Sequence, residues 1–367
     1  MSDFTLSVIV PCYNQIEYLT DCLLSVYDLN ELVNLEIIVI DDGSAYDIND
    51  LTYGVLENFD KNRIRVIKNS SNKGVSFSRN TGLALATGKY VYFLDSDDYL
   101  NPRSVEKAIN IMDVSKLNFL VGTYLIKSES TSNIKNTFDY FYFSKIKSGD
   151  QKYFDLIDNQ QIMNIWGLLG AKIFNRHFLI SHDIKFDTEQ AFFEDYTFFI
   201  KTLCKNTKIG YLLDPLYTYR VSTDHQVTSQ NQLDHTTKIV DSAAKVILWC
   251  YENKNAEIDL GIAQLHILGS LFSTLKRSPK KMDFIRYTRS KINSDYFLNF
   301  HDSFRHIGKK NKLILLKNLI VFGYLKAFLT CFTELIKESP GLAFYTILFI
   351  VKKMKMYLGI RRTTWEF

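Results

Sequence analysis

Apolar residues along the first 125 positions fall into two alternating rhythms, short unbroken runs and longer stretches at helical spacing. That alternation predicts a mostly parallel sheet with helices on both faces. The runs LSVIVP (6–11), LEIIVID (35–41), RIRVIK (63–68) and YVYFLD (90–95) predict four strands, and LNFLVGTYLI (117–126) a fifth. Between them residues 15–28, 47–59 and 75–86 have helical spacing, and Pro102 marks a first helical turn after the fourth strand.

The rhythm is lost over 127–160, where Ser, Thr, Asn, Lys and Tyr gather in what reads as a surface excursion over a site. It returns over 161–220, with helices predicted at 161–168 and 194–205 and strands at 170–174, 208–213 and 216–220. After Asp234 the spacing is helical almost throughout, at 235–252, 258–277, 281–297, 311–333 and 341–358.

At 367 residues, 46% hydrophobic and 23% charged, the chain can bury one large core or two, which excludes a disordered tail. Five cysteines (Cys12, Cys22, Cys204, Cys250, Cys331) form no C-x-x-C pair, which argues against a disulfide framework or structural zinc and for a reducing compartment. The opening MSDFTLSVIV has an acid at Asp3 and no basic region, so it reads as a buried first strand rather than a signal peptide. The net charge of +4 conceals an asymmetry: residues 305–367 carry 12 Lys+Arg against 3 Asp+Glu, leaving 32 against 37 for residues 1–304. A basic, apolar tail on a mildly acidic body suits an anionic surface.

Polar residues cluster where the predicted parallel strands end: Pro11-Cys12-Tyr13-Asn14, Asp41-Asp42-Gly43-Ser44 and Asp95-Ser96-Asp97-Asp98. In open α/β sheets that edge binds ligands. Converging carboxylates repel unless a cation or hydrogen-bond donors offset them, and a divalent metal is the simple remedy. Each segment alone also reads as turn or helix-cap chemistry, but their occurrence at matching strand ends favours a site. Neither G-x-x-x-x-G-K-[ST] nor G-x-G-x-x-G is present, which leaves metal-bridged diphosphate binding.

SVIVPCYN (7–14), LEIIVIDDGS (35–44), NKGVSFSRNTGLALATGKYVYFLDSDD (72–98) and FFEDYTFFIKTL (192–203) together resemble the GT-A domain of the family 2 glycosyltransferases. Order and spacing agree from Ser7 to Asp98 and more loosely to Arg220. The resemblance implies a GT-A fold, with a Rossmann-like, mostly parallel sheet, over 1–230, its donor part at 1–126 and its acceptor part at 127–230. A helical region would occupy 231–367. The implied reaction is inverting transfer of a sugar from a nucleotide-diphosphate donor, with UDP expected, to a hydroxyl of a glycan or lipid-linked acceptor.

Carried onto this sequence, the D-x-D element is Asp95, Ser96 and Asp97, with Asp97 a ligand to Mg²⁺ or Mn²⁺ and Asp95 at the donor ribose. Asp98 either joins them or caps the next helix. Asp42 would read the imide edge of uracil, Asp41 would be structural, and Pro11, Tyr13 and Asn14 would frame the base. Arg79 would reach the diphosphate, brace the carboxylates or form an internal salt bridge. Gly74, Gly82 and Gly88 suit turns and close packing. Glu194-Asp195 matches the family's Glu-Asp element, making Asp195 the general base through an oxocarbenium-like transition state. Trp166 would stack on the acceptor or pack in the core. Tyr219-Arg220 would approach the diphosphate, and His225 would either complete the metal shell or stay solvated.

In the tail, LILLKNLIVFGYLKAFLTCF (313–332) is interrupted by Lys317 and Lys326, and GLAFYTILFIV (341–351) is shorter than the roughly 20 residues a span needs. Basic, apolar helices fit a membrane interface, while a small helical domain packed on itself fits them too. The family implies bacterial capsule, lipopolysaccharide or exopolysaccharide synthesis by a cytoplasmic protein peripheral on the inner face of the cell membrane. Nucleic acid is not an expected partner. A sugar nucleotidyltransferase is disfavoured by the missing Gly-rich loop and the presence of Glu194-Asp195. A non-catalytic scaffold of a membrane polysaccharide assembly is disfavoured by intact Asp42, Asp97 and Asp195.

Overall fold

The computed structural model describes residues 4–128, 134–136, 168–205, 208–221, 232–253, 260–278 and 280–292. β1 (Leu6–Cys12) and β2 (Leu35–Asp41) are buried along their whole length, which is why both read as unbroken apolar runs. They pair in parallel with each other, β1 also with β4 (Tyr90–Phe93) and β2 with β3 (Ile64–Lys68). Helices α1 (Ile16–Leu29), α2 (Asn49–Val55) and α3 (Val75–Leu85) make the crossovers. α2 is shorter than the 47–59 expected, because the chain turns after Leu56 and Asp60 caps a 3₁₀ turn at Lys61–Arg63 by accepting from the Asn62 amide. As expected, Pro102 opens the next helix, α4 (Pro102–Ser115).

Beyond β4 the strand directions change. β8 (Lys172–Asn175) runs antiparallel between β4 and β6 (Phe119–Ser128), whereas β9 (Ile209–Val221) is parallel to β6. Short antiparallel additions complete the sheet, β5 (Tyr99–Leu100) on β9 and β7 (Ile134–Asn136) on β6. The order is β3-β2-β1-β4-β8-β6-β9-β5, so the sheet is parallel on its amino-terminal side and mixed beyond it. β9 is one strand where two were expected. Asp214-Pro215 does not end it; the pairing with β6 shifts register between Val121 and Tyr124 and then continues.

Two helices follow β8 in this unit, α5 (Arg176–Ser181) and α6 (Glu194–Leu203). α5 escaped the periodicity because it is six residues long; Asn175 caps it, its Oδ1 accepting from the Phe178 amide at 3.1 Å. The surface excursion expected from 127 begins instead with the end of β6 and with β7, and 137–160 lie outside the described residues, as does the helix expected at 161–168 apart from its last residue, Leu168, which is not helical.

The chain divides into two compact units, Met1–Asn231 and Gln232–Phe367. In the second, α7 (Gln232–Glu252), α8 (Leu260–Arg277) and α9 (Lys281–Lys291) bury Val240, Ala243, Ile247, Ile267, Leu271 and Phe284 among themselves. α9 stops short of the 281–297 expected, with Ile292 extended and 293–297 undescribed. Gln264, fully buried, donates to the Ile247 carbonyl at 3.0 Å. Among the described residues no helix is long and apolar enough to cross a membrane. The helices expected at 311–333 and 341–358, with the basic tail, lie outside the described residues.

Candidate active site

The crevice opens where β1 and β4 part. The Leu94 amide donates to the Ile9 carbonyl at 3.0 Å. Two residues on, along the same edge of β1, Pro11 has no N–H to continue the ladder. On the other edge the Asp42 amide donates to the Cys12 carbonyl at 2.8 Å. Pro11 is therefore buried in the strand, Tyr13 is 46% exposed beyond it, and Asn14 turns the chain at φ 53°. Asn14 donates its amide to Ser44 Oγ at 2.9 Å and accepts from the Ala45 amide at 3.0 Å, locking the two loops together.

Asp41 accepts from the Ser44 amide at 2.8 Å and faces Lys68 at 3.5 Å. Asp42, expected to read the base, has three donors from the 69–74 segment. Its Oδ1 accepts from Asn69 Nδ2 (2.7 Å) and the Lys73 amide (2.9 Å), and its Oδ2 from the Gly74 amide (2.8 Å). This buried carboxylate shapes the 69–74 loop by accepting from three of its N–H groups. Gly74, at φ 90°, makes the turn into α3, and Gly82 lets that helix approach β1: a Cβ there would lie 2.3 Å from Ile9 Cγ2. Gly88 is as crowded, against the Ser7 backbone.

After β4 the acids diverge in role. Asp95 is 46% exposed and accepts from Arg79 Nη2 at 2.8 Å. The Ser96 hydroxyl donates to Gln15 Oε1 at 2.6 Å, a bracing bond inside the fold. Burial pushes the Asp97 carboxyl up to about 6, and Asp95 adds to the rise. Asp98 does not cap α4, whose N-cap is Asn101; its Oδ1 accepts from the Arg220 amide at 2.9 Å.

Arg220 is held against the acid loop. Its Nε donates to the Asp97 carbonyl (3.0 Å) and its Nη2 to Asp21 (2.8 Å), and its guanidinium lies 4.8 Å from the Tyr18 ring centre and 4.4 Å from that of Tyr99. Engaged on so many sides, it braces the acid loop. Trp166 and His225 lie outside the described residues.

Across the crevice, Glu194 and Asp195 open α6. Phe193 precedes them in the left-handed region, φ 60°, a conformation a bulky side chain holds only when its surroundings over-determine it. Further along the same helix, Phe198 stacks on Phe186 at 4.1 Å and meets Phe93 and Phe174 edge-on. That cluster fixes α6 to β4 and β8. Arg79, 4% exposed, spans the two halves, pairing with Asp95 through Nη2 and with Glu194 through Nη1 at 3.1 Å. Burial pushes the Asp195 carboxyl above its ordinary range and Glu194 adds to this, while Arg79, the Tyr196 amide at 2.6 Å and Lys172 pull it back.

Lys172, Gln15 and Asp21 were not singled out from the sequence. The signal for Lys172 was there, a lysine between Ala171 and Ile173 in an apolar strand; Gln15 and Asp21 look like ordinary helix-surface residues. Among the described residues no three His, Cys, Asp or Glu side chains converge as a metal cage. The donor set nevertheless fits a hard cation, since Asp97 is a half-buried carboxylate repelled by Asp95 and magnesium-type sites take one or two carboxylates plus substrate phosphates.

The family described as "Glycosyl transferase family 2" matches residues 7–167. The chain is 25% identical over 283 residues to Glycosyltransferase GlyG of Streptococcus pneumoniae serotype 4 (strain ATCC BAA-334 / TIGR4), covering 72% of this chain and 86% of GlyG. It is 30% identical over 235 residues to Poly(ribitol-phosphate) beta-N-acetylglucosaminyltransferase TarP of Staphylococcus aureus (strain N315), covering 63% of this chain and 67% of TarP. The crystal structure of S. aureus TarS 1-349 in complex with UDP-GlcNAc matches with a TM-score of 0.56 at 20% identity over 92% of each chain, a likeness of fold.

Proposed function

We propose that this chain, which belongs to glycosyl transferase family 2, moves a sugar from a nucleoside diphosphate to an acceptor hydroxyl in one displacement with inversion. Its α/β sheet is of the GT-A type and its carboxy-terminal unit is helical as far as described. The observation that carries the reaction is Arg79, which joins Asp95 of the D-x-D segment to Glu194 of the Glu-Asp segment and so brings donor and acceptor chemistry to one crevice.

Asp195 takes the proton of the acceptor hydroxyl as its oxygen attacks the anomeric carbon. The bond to the diphosphate breaks as the new one forms, and the nucleoside diphosphate leaves with the electron pair. Asp95 orients the donor ribose and Tyr13 offers an exposed ring to the base. Asp97, with phosphate oxygens of the donor, would hold a Mg²⁺ or Mn²⁺ that offsets the charge gathering on the leaving group. UDP as the nucleotide is supported by the UDP-GlcNAc complex of TarS and by the N-acetylglucosaminyl transfer named for TarP.

A surface-polymer or lipid-linked acceptor suits the polymer named for TarP. The basic tail supports a cytoplasmic protein peripheral on an anionic membrane by its sequence alone. Calorimetric binding of UDP, GDP, CDP and dTDP, each with Mn²⁺, Mg²⁺ or chelator, tests the donor reading. Metal-dependent, UDP-selective binding lost in Asp97→Asn is expected. Binding of none of the four by folded wild type would overturn it.

A further inference from the structure

We propose that Lys172 is a positioning residue for the reaction, an internal cation that holds the Asp195 carboxylate ionised and ready for the acceptor proton. The inference rests on the reading of Asp195 as the base.

Lys172 has no exposed surface, and it lies in the strand next to the one that carries the acid loop. Its Nζ donates to the Leu168 carbonyl at 2.7 Å and sits 4.5 Å from the Phe199 ring centre. Phe199 is one helical turn beyond Asp195 on α6, so the ring that receives the ammonium and the carboxylate belong to the same helix face. Taking an ammonium out of water costs several kcal/mol, and an apolar side chain would fill this part of the core without that cost. A charge kept there is explained by a charge to answer.

Among the described residues, Glu194 on its own helix, Arg79 on α3 and Lys172 on β8 act electrostatically on Asp195. Arg79 is shared with Asp95 and Glu194 through its two terminal nitrogens. Asp195 in turn opposes the effect of burial on Lys172. Burial pushes the lysine down and the aspartate up, and each opposes the other's shift, so the charged form of each favours the charged form of the other. When Asp195 accepts the proton from the acceptor, the cation is left without its answering charge, which favours return of that proton once product leaves.

Selective ¹³Cγ-aspartate labelling of the full chain, followed by NMR over a pH series, tests this directly. Asp195→Asn identifies the resonance by its loss. In Lys172→Met the Asp195 midpoint is expected to rise by about one pH unit or more, a tenfold weaker acid. An unchanged midpoint in a folded Lys172→Met overturns the inference. Should that variant not fold, Lys172→Gln takes its place, and failure of both assigns Lys172 to the core and overturns it equally. UDP release from UDP-GlcNAc is read in parallel: undiminished release by Asp195→Asn sinks the base assignment while leaving the titration to judge the lysine.

Discussion

Arg79 reaches Glu194 through a 3.1 Å ion pair that spans 115 positions of sequence, and its other terminal nitrogen holds Asp95 at 2.8 Å. One buried guanidinium thus sets the spacing of two acids that belong to opposite sides of the crevice. Arg79→Lys keeps the charge but cannot grip both carboxylates. It is expected to lower turnover at least tenfold with a smaller loss of UDP affinity, whereas Arg79→Met, which strands both acids, should also cost about 2–4 kcal/mol in urea unfolding. Wild-type turnover in Arg79→Lys would deny the spacing role.

Asp195 should separate chemistry from binding. Asp195→Asn is expected to lose about 100-fold or more in UDP release from UDP-GlcNAc while binding UDP within about twofold of wild type. A base works only when ionised, and burial has raised this carboxyl. The wild-type rate should therefore climb with pH well above the ordinary carboxylate range before levelling. A rate already flat at about pH 5 would contradict the assignment.

Glu36 anchors the other end of the same strands. It is 2% exposed and accepts from Ser7 Oγ (2.6 Å), the Thr87 amide (2.6 Å) and the Thr87 hydroxyl (2.8 Å), and it pairs with Arg65. Burial pushes its carboxyl up, but those donors outweigh burial and hold it below its usual value. With the folded value below the unfolded one, its contribution is complete above about pH 4.3 and is lost as pH falls through the folded value. Glu36→Leu should cost about 3 kcal/mol or more at neutral pH and flatten the acid side of the stability curve, read by urea melts from about pH 3 to pH 7.

Gly82→Ala places a methyl 2.3 Å from Ile9 Cγ2, between α3 and the sheet. Overpacking there should cost about 1–3 kcal/mol and, because α3 carries Arg79, reduce turnover as well. The paired variant Gly82→Ala/Ile9→Val should recover part of both, and no recovery would show that the clash lies elsewhere.

β1, β2 and β4 were legible because burial on both faces leaves an unbroken apolar run, the half-buried β3 because Ile and Val interleave with Arg and Lys, and their parallel order gathers Asp42 and Asp95 at one edge. Strand direction leaves no such trace, so the antiparallel entry of β8 between β4 and β6 was invisible. Pro215 misled because a proline ordinarily ends a strand, and here a register shift absorbs it. At the site, the residue types were readable and their partners were not. Ser96 turns to Gln15, Arg220 to Asp21, and Asp42 to three N–H groups, all contacts between segments that only the folded chain brings together.

The brace of the acid loop also sets a schedule for biosynthesis. Arg220 and Asp21 stand 199 positions apart, and α6 lies nearly as far along the chain. During synthesis the parallel strands and the acid loop emerge first, before either Arg220 or the helix opposite exists. Such distant closures are slow to form. The nascent amino-terminal half therefore emerges with the partners of Asp42 and Asp95 already in it, whereas the acid loop gains its arginine brace only after β9 has been made.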